Sequence, residues 1–204
     1  MSFKEEIMKK IFISTVLTVC LIYTVPAFAG VPLDTVKGYA DKVLDVLRDP
    51  ALKSEAAKKI KKDKLRAISE KMFDFTELSR RTLTINWKRL SPDQQKEFIN
   101  LYTSLLEDAY ADKILAYSDE KILFIKEVPL TAKTVEVQST VMQKTAEIPI
   151  YYRVILKDGV WRVYDVVVEG VSLINNYRTQ FKDILSNNPP ESLLETLRKK
   201  VGKG

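Results

Sequence analysis

Asp165 and Glu169 are the first residues whose type and spacing could do chemistry. They are carboxylates four positions apart, within and just beyond the run Val163 to Val168. Paired carboxylates can divide general acid and general base work. The rest of the chain offers them little help. It has no histidine, and its single cysteine is Cys20. No Gly-x-Ser-x-Gly elbow and no phosphate-binding glycine loop occurs. With six glycines in 204 residues, an active site built on close backbone approach has little to work with. The favoured reading is therefore a buried, hydrogen-bonded Asp165 and a separate strand-end Glu169. A hydrolase using either residue is the catalytic alternative. The usual zinc sites need Cys and His, so no metal and no cofactor is expected. Tyr151, Tyr152 and Arg153 could stack bases, but they read better as strand core or rim, and nucleic acid is not an expected partner.

The elements that must position these residues follow from periodicity. Leu33, Val36, Ala40, Val43 and Leu47 share one face of a helix over 32–48, which Asp49-Pro50 ends. A lysine-rich stretch, KKIKKDKLR (residues 58–66), follows; it is a solvated helix face or a contact for membrane or partner. Asp74 can cap a helix, with Glu77 at its third position and Phe73 stapling onto Leu78. Ser91-Pro92-Asp93-Gln94 repeats that logic and opens a helix to about residue 117. This helix has two apolar stripes, Phe98, Leu101, Leu105, Ala109 and Tyr102, Leu106, Tyr110, Ile114, so it should touch more than one neighbour. Strands are expected over 122–128, 134–142, 148–156 and 160–168, with Lys157-Asp158-Gly159 as a hairpin turn. Strict alternation puts Val163, Asp165 and Val167 on one face of the last strand and Tyr164, Val166 and Val168 on the other. After Glu169-Gly170, residues Val171, Ile174, Tyr177, Phe181 and Ile184 recur at helical spacing, and Pro189-Pro190 opens a last helix. Helices, an antiparallel meander and more helices make an α+β domain.

The N-terminus reads as an export signal. Lys9 and Lys10 precede an apolar run from Ile11 to Val25, then Pro26-Ala27-Phe28-Ala29. That is a basic segment, an apolar segment and an Ala-x-Ala cleavage site. The run is shorter than the roughly 20 residues of a membrane span, which argues against an anchor. Leu17-Thr18-Val19-Cys20 is a near miss to a lipoprotein box. Cleavage after Ala29 leaves a single domain, 30–204, with neither cysteine nor histidine, and lowers the +6 net charge by one. An exported chain without disulfides must be held by its core. Its charge favours anionic surfaces.

The third and fourth strands are apolar on both faces, and the helices are wide-faced. That is more apolar surface than a simple two-layer packing consumes. An ordinary tight core, extra protein or an apolar ligand could cover it. Concave, mostly apolar surfaces are what ligand pockets need.

WRVYDVVVEGVSLINNYRTQF (residues 161–181) resembles the signature of the MlaC, or toluene-tolerance, family: a Trp-containing strand, Tyr-Asp-Val, Glu-Gly-Val-Ser and an Asn-Tyr-Arg helix. Residues 73–110 are similar to that family's central helices, including the Trp before Ser-Pro, and DPALKSE (residues 49–55) resembles its early helix break. One departure stands out. The family often has a Leu-Gly pair before its Trp, where this chain reads Leu83-Thr84-Ile85-Asn86-Trp87, and the missing glycine bears on the local helix packing.

The resemblance implies a periplasmic phospholipid-binding protein that works with an ABC transporter. It implies helices packed around a curved antiparallel sheet of about four strands, nuclear transport factor 2-like, with a deep apolar cavity for acyl chains and the headgroup outside. Implied partners are phospholipid, an inner-membrane ABC transporter complex and an outer-membrane lipid complex; a monomer without enzymatic activity is expected. The alternative is a periplasmic interaction or chaperone-like module with an apolar groove. Residues on apolar faces of elements that should surround the cavity are Leu101, Leu105, Tyr110, Ile114, Phe124, Val137, Tyr152, Val154, Val166, Val168, Val171, Ile174 and Tyr177. Periodicity alone does not separate core from lining among them.

Overall fold

The computed structural model describes residues 31–116, 120–143 and 146–202. The expected leader over 1–29, with Cys20, lies outside the described residues, as does residue 117.

Among the described residues, six α-helices flank one sheet. Helices α1 (Val31–Arg48), α2 (Lys58–Met72), α3 (Phe75–Leu83) and α4 (Pro92–Leu115) precede strands β1 (Lys121–Thr131), β2 (Thr134–Met142), β3 (Glu147–Lys157), β4 (Val160–Val168) and β5 (Val171–Ser172). Helices α5 (Leu173–Ser186) and α6 (Pro190–Val201) follow the sheet. The expected caps form. Asp74 Oδ1 accepts from the Glu77 N–H at 2.9 Å. Ser91 and Gln94 make a reciprocal capping box ahead of α4, with Pro92 at its first position.

The sheet is antiparallel and open, in the order β1-β2-β3-β4-β5. Two tight turns set its later registers. Asp158-Gly159 joins β3 to β4, and Glu169-Gly170 joins β4 to β5; all four residues have positive φ (52°, 77°, 50° and 82°). Paired left-handed residues match the twist of adjoining strands, and glycine takes that conformation freely. The fifth strand corrects the expected helix face. Val171 pairs with Val168 in β5 and is 58% exposed, because Ser172 caps the helix and α5 starts only at Leu173. Leu185, not Ile184, is the buried residue of its last turn.

Strict alternation fails along β4. Arg153 pairs with Asp165, but its neighbour Val154 pairs with Val163, so Tyr164 is an extra residue. This β-bulge reverses the phase of the strand. Val163 therefore joins Val166, Trp161, Val135, Val137 and Val154 in one core, against Val36 of α1 and Met72 of α2. Tyr164 joins the other core, with Leu78 of α3, Phe98, Tyr102 and Leu106 of α4, Ile174, Tyr177 and Phe181 of α5 and three leucines of α6. Phe73 packs against both cores and bridges to Val163.

Asp165 is 1% exposed and structural in its contacts. Its carboxylate accepts from Ser172 Oγ at 2.6 Å, the Ile174 N–H at 3.1 Å and Arg153 Nη1 at 3.2 Å. Ser172 Oγ in turn accepts from the Asn175 N–H and caps α5. The carboxylate thus ties β3, β4, β5 and α5 at one point. Glu169 sits in the turn, apart from this network.

The family departure at Leu83-Thr84 has a backbone consequence. Thr84 is exposed and adopts φ 53°, ψ −122°, a region that suits glycine and strains a β-branched residue. Thr84→Gly is expected to stabilise the fold by about 1 kcal/mol, the relieved strain outweighing the entropy of a freer unfolded chain. A higher urea midpoint at unchanged slope would show it; a lower midpoint would mean that the threonine makes native interactions worth more than its strain.

Candidate functional site

An apolar cavity of about 270 Å³ lies where the two cores meet. Its sheet wall is Ile150 and Tyr152 of β3 with Val166 and Val168 of β4. Because β3 and β4 pair Ile150 with Val168 and Tyr152 with Val166, these four side chains form one patch. The helix wall is Phe73, Phe75, Leu78 and Leu173, with Leu106, Glu107, Tyr110 and Ile114 of α4. The stacked rings of Phe73 and Phe75, 5.4 Å apart, line one end. Ser69 also faces it, and its hydroxyl is spent on the Arg66 carbonyl at 2.8 Å.

The polar groups of this wall are few and suited to an uncharged guest. Burial pushes the Tyr152 phenol up to about 12 and raises that of Tyr110 as well, so both stay neutral at physiological pH. Glu107 marks the edge. Its Oε2 accepts from Arg66 Nε at 2.9 Å and lies 2.7 Å from Arg66 Nη2. Its Oε1 is buried with no hydrogen-bond partner among the described residues.

Beyond Glu107 the cavity meets a second depression of about 220 Å³ between α2 and α4. Ser69, Glu107 and Ile114 belong to both. Lys59, Lys62 and Arg66 line this mouth from α2, over a floor that includes Leu65, Ala111 and Leu115. The Arg66–Glu107 pair is the one salt bridge between α2 and α4 among the described residues. No group of Cys, His, Asp and Glu there could hold a metal ion.

Of the thirteen residues expected to line a cavity, the structure brings Tyr110, Ile114, Tyr152, Val166 and Val168 together around this one. Phe124 stacks on Tyr152 from outside, ring centroids 6.5 Å apart. Val137 and Val154 lie fully buried in the core around Val36. Ile174 and Tyr177 are buried in the core around Phe98, with Leu101 and Leu105 packed against it. Val171 faces away from both. Sequence reasoning missed Phe73, Phe75, Leu78, Leu106, Ile150 and Leu173 as lining. Phe73 and Phe75 had a signal: they flank the capping residue Asp74, which donates its N–H to the Val163 carbonyl at 2.8 Å and so pins both rings against the sheet.

The MlaC protein family model matches residues 37–199, which contain every element that builds this cavity. The chain belongs to the MlaC family. The intermembrane phospholipid transport system binding protein MlaC of Haemophilus influenzae is 25% identical over 122 residues, 57% of each chain. The match therefore spans little more than half the length of that relative. Toluene tolerance protein ttg2D of Pseudomonas putida is 24% identical over 162 residues, 78% of this chain and 75% of that one. Among solved structures, a phospholipid-binding protein from Ralstonia solanacearum in complex with a phospholipid has the same fold. Its TM-score is 0.77 at 24% identity, over 84% of this chain and 97% of that chain.

Proposed function

We propose that this MlaC-family chain is a periplasmic phospholipid carrier, the binding component of an ABC-type lipid transport system. It takes acyl chain into the cavity between Tyr152–Val166 and α4 and leaves the headgroup at the α2–α4 mouth. The observation that carries this reading is a cavity walled by apolar side chains and neutral phenols, with Glu107 at its edge, that shares Ser69, Glu107 and Ile114 with a depression between two helices. The leader over 1–29 exports it, and it works as a monomer between an inner-membrane transporter complex and an outer-membrane lipid complex.

The physical need for such a protein is clear. Each methylene exposed to water costs about 0.8 kcal/mol, so two chains of roughly 15 methylenes cost about 24 kcal/mol. Shielding them calls for no covalent step, and Asp165 is committed to structure. An apolar cavity near 150 Å³ holds benzene, so about 270 Å³ admits only part of a chain. A two-chain lipid must widen the site, and the α2–α4 seam, bridged by Arg66 and Glu107, is where the walls can part.

Native mass spectrometry of protein purified without detergent tests this. A bound two-chain phospholipid, or its uptake from vesicles by delipidated protein, is expected. A bare mass that no vesicle changes would remove the carrier reading. Loading should also raise the melting temperature: ligand at about 100 times its Kd adds about 2.7 kcal/mol, or about 5–10 °C for a chain of this size.

A further inference from the structure

The charge of this chain is concentrated on one helix. Helix α2 carries seven Lys and Arg against two acidic residues, a net +5 of the chain's +6. Packing does not require this. Lysines three and four apart, such as Lys58, Lys61 and Lys62, repel one another along a helix. Lys58, Lys59 and Lys64 have carboxylate neighbours, Glu55, Asp63 and Asp49, at 3.1, 2.7 and 3.8 Å. These lysine side chains are at least half exposed, so the pairs are weak and readily exchanged. Lys61, Lys62 and Lys71 have no salt-bridge partner among the described residues.

The position of this helix gives the charge a use. Lys59, Lys62 and Arg66 line the mouth that leads through Glu107 into the cavity. Whatever α2 rests upon therefore meets the mouth. At about 100° of rotation per residue, Lys58, Lys59, Lys62 and Arg66 share the mouth side of α2, and their long apolar stems fit a surface that is anionic in its outer layer and apolar just beneath. We propose that α2 is a membrane-docking helix that lays its exposed basic face on an anionic phospholipid leaflet and so sets the cavity mouth against the bilayer. The inference rests on the carrier reading, which supplies the reason for bringing mouth and membrane together.

The test is co-sedimentation with vesicles of phosphatidylcholine containing about a third phosphatidylglycerol. The full mature chain is expected to bind these vesicles, to ignore phosphatidylcholine alone, and to release in about 0.5 M salt, where charges are screened within a few ångströms. Each lysine near such a surface is worth roughly fivefold in binding constant, so Lys58→Gln/Lys59→Gln/Lys62→Gln should bind about a hundredfold more weakly. Lys64→Gln/Lys71→Gln, on the opposite side of the same helix, should leave vesicle binding within about threefold. The same removal at Lys182, Lys199 and Lys200 should leave vesicle binding within about threefold, since those lysines lie on other helices. Equal binding to neutral vesicles, or a triple α2 variant that binds like the wild type, would overturn the inference. A protein that loads dispersed lipid but shows no vesicle binding sinks the docking face alone. One that binds vesicles yet never holds a lipid sinks the carrier reading alone.

Discussion

Asp165→Ala is expected to destabilise the fold by about 3 kcal/mol or more. The carboxylate is 1% exposed, and its removal strands the Ser172 hydroxyl, the Ile174 N–H and one arm of Arg153. Arg153 keeps Glu136 at 3.1 Å and is partly exposed, which limits the loss. Asp165→Asn should cost less than alanine, because an amide oxygen can still accept from Ser172 or Ile174. Urea unfolding followed by circular dichroism gives both values. A loss of under about 0.5 kcal/mol for alanine would mean that water or a neighbour replaces the carboxylate. Asp165→Asn should also leave the folded protein able to load lipid, which separates this anchoring role from an acid–base one.

Val166→Phe is expected to reduce lipid loading more than tenfold while leaving the lipid-free protein within about 1 kcal/mol of the wild type in stability. Val166 faces Tyr152 across the β3–β4 pair and borders the cavity. A phenyl ring there occupies empty space and can stack on its cross-strand neighbour, so little core is disturbed. The contrast is Val154→Ala. Val154 is fully buried in the core on the same sheet and does not line the cavity. Its truncation should cost about 2 kcal/mol yet leave the folded fraction loading normally. If the two variants lost loading equally, the cavity between β4 and α4 would not be the lipid site.

Much of this molecule could be read from its residues. The caps at Asp74 and Ser91, the turn at Asp158-Gly159, the limits of β2 and β4 and the structural role of Asp165 were legible, because each is set by neighbours within a few residues. The family resemblance was legible in residues 161–181, and the structure gives its physical content. Glu169-Gly170 is the turn, and Asp165 and Ser172 are the hydrogen-bonded pair that begins α5. The Thr84 departure was visible as a residue type, whereas its strain needed the backbone angle.

The phase of β4 and the wall of the cavity were set by packing between elements distant in the chain. The bulge at Tyr164 is defined by the strand opposite, where Arg153 and Val154 pair with residues two apart, and a single strand gives no sign of it. Once the phase reversed, Val163 and Val166 shared a side that alternation had kept apart. Periodicity reports that a side chain faces the interior. Whether it meets another side chain or a void depends on the volume left when separate elements pack, and so Val154 became core while Val166, on the same sheet face, became cavity wall.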